Sequence, residues 1–303
     1  IRDGIRPRIP GVTVRWVTLG SGRGSVVVRI PKSFASPHMV TYKGTSRFFS
    51  RHSNGKYPLD VEEIRASFLF SDSIAQRIRE FRLDRIAKIR SNDTPVPLPK
   101  GAKVVLHIVP LAGLSAPTSI DLQEVSRQSP QVLLTPLAHE HSGWNGRFNI
   151  DGYLRYADAR DDRLAAAYIQ IYRNSFLETV DASLLEPRQN QLYVPSVAFE
   201  DEIIKAVRNY TAALQRLGIN VPLAIMLTLT GVSGYRIGYQ ASLSTLNSTI
   251  FDRDTLIFPE LIIETFNVDV GSVMKQPFDM VWNAAGWERS MCYEKDGTRK
   301  KSR

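Results

Sequence analysis

The segment Arg47-Phe48-Phe49-Ser50-Arg51-His52 places two guanidinium groups four residues apart around an aromatic pair. In an extended chain alternate residues share a face, so Arg47, Phe49 and Arg51 would line up on one side and Phe48 on the other. A row of guanidinium, aromatic ring and guanidinium suits phosphates with a base or ribose stacked between them. Lys32, His38, His52 and Lys56 lie close by in sequence, and His38, after Pro37, offers a neutral donor. Lys32, His38, Arg47, Phe49, Arg51, His52 and Lys56 therefore form the candidate nucleic-acid-binding set. The competing assignment buries Phe49 in a core and uses the arginines to bridge acidic groups.

Other constellations carry less chemistry. His139-Glu140-His141 has the spacing of a metal pair, with Asp151, Asp158, Asp161 and Asp162 downstream. Its neighbours Pro136, Ser142 and Gly143 predict a loop instead. Gly231-Val232-Ser233-Gly234 approaches a nucleophile elbow, but Tyr235 stands where the second glycine is required. Gly20-Ser21-Gly22-Arg23-Gly24 looks like a phosphate loop, yet it opens a Val-rich strand rather than a helix, which predicts a hairpin turn. There is no G-x-x-x-x-G-K-[ST] motif. The single cysteine, Cys292, excludes an intrachain disulfide and any multi-cysteine zinc site. No catalytic residue, metal ligand or cofactor is assigned.

Charge supports the first set. Residues 1–103 hold 20 Lys and Arg against 8 Asp and Glu, a net +12, while the rest of the 303-residue chain holds 19 against 22, a net −3. A field concentrated in this way points to a polyanion. The terminal run Arg299, Lys300, Lys301 and Arg303 reads as a frayed tail. At 43% hydrophobic and 23% charged residues the chain can bury a core, which excludes wholesale disorder. No apolar run reaches the roughly 18 residues of a spanning helix, so no membrane partner is expected. The chain opens at Ile1 with no apolar stretch behind its arginines, so its start is not expected to be a signal peptide, and it reads as a chain cut away at its start. A cytoplasmic location fits.

The elements that must position these residues follow from pattern. Val12–Leu19 and Ser25–Ile30 read as strands. Asp60 and Glu63 make a capping box for a short helix through Phe70, and Ser71 caps a second helix to about Arg90. Arg85 projects from the apolar stripe of Ile74, Ile78, Phe81 and Ile89 and is expected to find a carboxylate. Lys103–Val109 is a further strand. Residues 112–135 read as a connector without periodicity. Beyond it come long paired strands over Arg147–Tyr156 and Ala166–Val180 and an amphipathic helix over Val197–Leu217 stopped by Gly218. Leu223–Thr230 and Leu256–Phe266 follow as strands or strand-plus-turn, and Phe278–Ala285 as a short last helix.

Residues 25–90 also carry a resemblance. Ser25-Val26-Val27-Val28-Arg29-Ile30-Pro31-Lys32-Ser33 runs a strand into a Pro-Lys-Ser turn. Ser36-Pro37-His38-Met39-Val40, the Arg47–His52 segment, Gly55-Lys56-Tyr57 and Leu59-Asp60-Val61-Glu62-Glu63-Ile64-Arg65 follow in order. This resembles the later half of the Schlafen AlbA-like domain of prokaryotic Schlafen-related regulators, over about a third of the chain. Arg147–Gly152 and Phe278–Gly286 are similar to the uncharacterised partner domain of the same bacterial proteins. The first half of the AlbA-like domain, where a Gly-Gly turn is expected, has no counterpart here, since the chain contains no Gly-Gly. Schlafens with RNase activity carry their acidic metal-binding residues in that half, so no residue here inherits that role.

The expectation is an α+β chain in two parts. A truncated Schlafen AlbA-like domain over 1–111 is followed by a connector over 112–135 and a second mixed α+β domain over 136–303. The resemblance implies a DNA- or RNA-binding protein, regulatory or defence-related. Two alternatives stay open: a Schlafen-like RNA endonuclease whose catalytic half is missing, and a nucleotide (ATP)-binding regulator. A homo-oligomer is compatible with either.

Overall fold

In the computed structural model, which describes residues 4–9, 12–19, 23–30, 33, 36–52, 55–115, 120–128, 134–141, 145–158, 164–188, 190–238 and 249–300, the chain divides between Glu80 and Phe81 into two units. The first holds six strands among its described residues: β1 (Ile5–Arg6), β2 (Thr13–Thr18), β3 (Gly24–Arg29), β4 (Met39–Tyr42), β5 (Thr45–His52) and β6 (Gly55–Pro58). Four of them form a sheet in the order β1-β4-β5-β6, every neighbour antiparallel. Among the described residues β2 and β3 pair only with each other, with Thr18 opposite Gly24. They are antiparallel, as a hairpin requires; its turn, residues 20–22, lies outside the described residues.

α1 (Val61–Arg90) opens on the expected capping box. The Glu63 amide donates to Asp60 Oδ1 at 2.8 Å, and the Asp60 amide donates to Glu63 Oε2 at 3.0 Å. Two helices meeting at Ser71 are not found. The helix runs through without a break, because extending an existing helix adds a hydrogen bond per residue whereas a new start costs a nucleus. A cap-like residue does not by itself stop a helix that is already extending.

The second unit is built on a strand read from sequence, β7 (Lys103–Pro110). After it come α2 (Ala112–Ser115), α3 (Leu122–Gln128), β8 (Asn145–Phe148), β9 (Gly152–Asp158), β10 (Ala165–Tyr172), β11 (Leu177–Asp181) and β12 (Tyr193–Pro195). The chain continues through α4 (Ser196–Arg216), β13 (Leu223–Thr230), β14 (Arg236–Gly238), β15 (Thr255–Ile257), β16 (Leu261–Ile263) and α5 (Val270–Ala284). Eight strands make one sheet in the order β15-β13-β7-β11-β10-β9-β8, with β16 also on β13. Its pairings are antiparallel. The class is α+β.

β7 and β13 are buried along their whole length, which is why they read as mostly apolar without polar alternation. Val104, Leu106 and Ile108 join a core with Phe199, Ile203, Val207 and Tyr210 of α4 and Met274, Phe278 and Trp282 of α5. Val105, on the opposite face, packs with Ile86, Ile89, Leu154, Tyr168 and Val180. The division of the chain thus falls well before the expected boundary at 111, since β7 is a central strand of the second unit. The stretch 112–135 is not a mere connector either. It forms α2 and α3, and Ile120, Val125 and Leu134 are buried in the core. The expected strand Arg147–Tyr156 is broken into β8 and β9 by a turn in which Asn149 Oδ1 accepts from the Asp151 and Gly152 amides at 3.1 and 2.8 Å. The last helix starts earlier than expected, capped by Asp269 and carrying Pro277 inside it.

Arg85 finds its carboxylate. Its Nε and terminal nitrogen donate to the two oxygens of Glu178 at 2.8 and 2.9 Å. His107 Nε2 donates to Oε2 at 2.9 Å, and the hydroxyls of Tyr168 and Tyr172 donate to Oε1 at 2.8 and 3.2 Å. Burial alone would push the fully buried Glu178 carboxyl up, but the hydrogen bonds and charge of His107 and Arg85 outweigh it and hold the group at about 2. Burial, then the charge of Glu178, pushes both tyrosines up, so they remain donors. In the unfolded chain a glutamate titrates near 4.3, about two units higher. The stability this group contributes is therefore complete above about pH 4.5 and drains away as pH falls toward 2. Glu178→Gln is expected to cost about 3–5 kcal/mol at neutral pH and to flatten the pH dependence of stability in that acid window. Urea unfolding at a series of pH values checks both, and an unchanged acid limb would refute the assignment.

Candidate nucleic-acid interface

The β4–β5 connection is a two-residue loop, Lys43-Gly44, with φ of 49° and 79°. Two positive φ values make the turn type whose twist matches an antiparallel pair, and Gly44 adopts its value without strain. The turn sets the register, Tyr42 opposite Thr45 and Val40 opposite Arg47. β5 then continues onto β6, with Phe49 opposite Pro58 and Arg51 opposite Lys56. From Arg47 to Arg51 the residues alternate between exposed and half-buried. Phe48 turns inward and meets Phe68 of α1 edge-on, with ring centroids 6.2 Å apart.

Arg47, Phe49 and Arg51 accordingly share the outer face of β5, as the spacing implies. Phe49 is 37% exposed, which excludes the assignment that made it core. Lys56, facing Arg51 across the hairpin, sets its Nζ 5.5 Å from the Phe49 ring centroid. The sequence between Gly4 and Leu59 contains ten Lys and Arg and no Asp or Glu. No carboxylate from this stretch can bridge the arginines. β6 is held in turn by Tyr57, whose hydroxyl donates to Glu63 Oε1 at 3.0 Å, so the capping box also ties the hairpin to α1.

Not every expected residue joins this face. His38 Nδ1 donates to the Pro7 carbonyl at 2.7 Å, and its Nε2 is buried without a hydrogen-bond partner. It braces the chain between β1 and β4 rather than offering a donor to a ligand. His52 ends β5 opposite Gly55. Lys32 lies outside the described residues. Tyr42 is an addition that sequence reasoning misses. It shares the Thr45 side of the β4–β5 pair, is well exposed, and has Lys43 Nζ 5.5 Å from its ring centroid. The signal lies in the Lys43-Gly44 turn, which puts Tyr42 in register with the odd-numbered residues of β5.

In the second unit the candidate groups that are described have partners of their own. His139 Nε2 lies 3.0 Å from Ser183 Oγ and 3.2 Å from Asp181 Oδ2. Both partners meet one nitrogen, so they do not form a relay across the ring. Asp158 Oδ2 accepts from Asn145, and Asp161 and Asp162 lie outside the described residues. Among the described residues no group of three or more His, Cys, Asp or Glu could hold a metal ion. Burial pushes the Cys292 thiol up to about 12, which leaves it unreactive as a nucleophile. Comparison of the chain with protein-family models, with curated proteins and with solved structures finds no match. The two segments that suggested a partner domain have structural duties here. Arg147–Gly152 makes the β8–β9 turn, and Phe278, Val281, Trp282 and Ala285 are core residues.

The expected frayed tail is corrected at Arg299. Its guanidinium pairs with Glu200 and, at 2.6 Å, with Asp201, and lies 5.0 Å from the Tyr293 ring centroid. Glu200 also accepts from Trp282 Nε1 at 2.8 Å and Ser290 Oγ at 2.7 Å. Burial still raises its pKa above the ordinary carboxylate value. A buried carboxylate recruits the chain end, an attraction that a local reading of charge density does not show. Arg299→Ala should cost about 3 kcal/mol, read as a lower denaturant midpoint, while leaving polyanion affinity unchanged. Within the hairpin, Phe48→Ala should cost on the order of 2 kcal/mol, less than a fully buried Phe, whereas Phe49→Ala should cost little. Hydrogen exchange of the β4 and β5 amides separates the two, and equal loss of protection would contradict the inward and outward assignment.

Proposed function

We propose that the chain is a sequence-tolerant nucleic-acid-binding protein of the Schlafen AlbA-like type, cytoplasmic and serving regulation or defence. The observation that carries the reading is the outer face of the β5–β6 hairpin: Arg47, Phe49, Arg51 and Lys56 together on a stretch of chain without acids. Two guanidinium groups and an ammonium supply phosphate contacts, and the partly exposed Phe49 ring supplies a surface for a base or ribose. The row follows one strand, so the contact tracks a backbone and makes no fixed demand on sequence. Among the described residues no helix is long and apolar enough to cross a membrane.

Removing one phosphate-neutralising cation should reduce the salt slope of binding by about 0.9 for duplex DNA or 0.7 for a single strand. Arg47→Ala with Arg51→Ala should therefore weaken binding to any sequence and flatten log Kd against log salt by about 1.8 on duplex DNA or about 1.4 on a single strand, with an unchanged melting temperature. Fluorescence anisotropy across a range of ionic strength provides the measurement. A flat salt profile for the unsubstituted protein, or no binding at low salt, would end this reading. Unfolding of the double variant would assign the arginines to the fold instead.

A further inference from the structure

The β2–β3 ribbon is not absorbed by the site on β5–β6. Among the described residues its strands join no other sheet, and its residues are exposed on both faces, Gly24 alone being half-buried. The antiparallel register sorts them. Val14, Trp16, Val26 and Val28 share one face, with Trp16 opposite Val26; Arg15 and Arg29 lie on the other, with Val17 and Val27. Trp16 is 65% exposed, yet it is not loose. Its indole lies against Gly24, where a Cβ would overlap the ring, so the indole is seated on the ribbon backbone, and the rest of its surface is exposed. A two-stranded ribbon is marginal by itself in water, and an aromatic ring packed on a cross-strand glycine supports its pairing.

A face of this kind needs an occupant, and charge selects among the candidates. All the charged residues from Gly4 to Leu59 are basic, so a second copy would bring like charge against like. A single-stranded polyanion meets no such repulsion and brings unpaired bases, which are flat, apolar on both faces and matched to an indole held in place beforehand. We infer that Trp16 is a stacking platform for an unpaired base, and that the β2–β3 ribbon makes the chain prefer single-stranded nucleic acid over duplex. The inference rests on the nucleic-acid reading above and adds the form of the ligand. Arg15 and Arg29 on the reverse face supply general attraction, whereas Trp16 supplies the discrimination.

The full chain is titrated with three probes of equal phosphate number: a mixed-sequence single strand, the same strand made abasic, and a duplex of half its length. Stacking predicts that Trp16→Ala loses on the order of 5- to 100-fold in affinity for the base-bearing strand. Trp16→Phe should fall between, and neither variant should lose affinity for the abasic strand or the duplex. Tryptophan fluorescence should be quenched by the base-bearing strand in the unsubstituted protein, and that quench should shrink in Trp16→Phe. Equal losses on base-bearing and abasic strands, or no loss on either, overturns the stacking role. If those variants instead lose binding to phosphatidylserine vesicles, or lose self-association in sedimentation, the face belongs to lipid or to a second copy and the inference is wrong. Binding with a normal salt slope but no Trp16 effect removes the ribbon from the site and leaves β5–β6 standing. Binding to none of the probes at low salt removes both.

Discussion

One carboxylate organises the larger unit. Glu178, on β11, is buried to the point of having no solvent of its own, and it collects a guanidinium from α1, an imidazole from β7 and two phenols from β10. Desolvating an anion is tolerable only when its lone pairs are filled, and here four side chains from three elements fill them. The arrangement is directional where apolar packing is not. Ile86 and Ile89 could press against the sheet in several ways, but only one placement of the second half of α1 brings Arg85 to both oxygens. Glu200 plays a similar part on the opposite face, drawing Trp282, Ser290 and Arg299 to α4. The sheet therefore has a charged clasp on each side, set within apolar layers that supply most of the burial.

What is legible without the structure is whatever depends on neighbours in the chain. The mostly apolar runs of β7 and β13, the stripe of α4 and the reciprocal bonds of Asp60 and Glu63 are local patterns, and they appear where the pattern puts them. The row Arg47, Phe49, Arg51 is local too, since alternation follows from an extended backbone and nothing else. The misses have a common cause. His38 reads as a ligand contact because its long-range partner, the Pro7 carbonyl, leaves no trace in the surrounding sequence. Arg299 reads as part of a loose end because its acidic partners lie about a hundred positions away on α4. At Ser71 and over 112–135 weak local signals are overruled, by cooperative extension of a helix in the first case and by burial of a few apolar residues in the second.

Charge is handled in two ways along the chain. In the second unit some ionic groups are paired and enclosed: Arg82 with Glu260, Arg85 with Glu178, Arg299 with Glu200. From Gly4 to Leu59 the sequence supplies no acid, and cations such as Lys43 and Lys56 stand beside aromatic rings instead, Tyr42 and Phe49. Enclosed pairs build a scaffold. A stretch of cations with no acid among them is suited to meeting charge that arrives from outside.

That lack of acids also acts on the small sheet itself. Its positive charges repel one another across a few strands, and relief comes from mobile anions gathered out of solution. Dilute buffer leaves the sheet under outward electrostatic pressure, and added electrolyte relaxes it. Added anions therefore screen a repulsion that the turn and the strand pairing of the hairpin otherwise withstand alone.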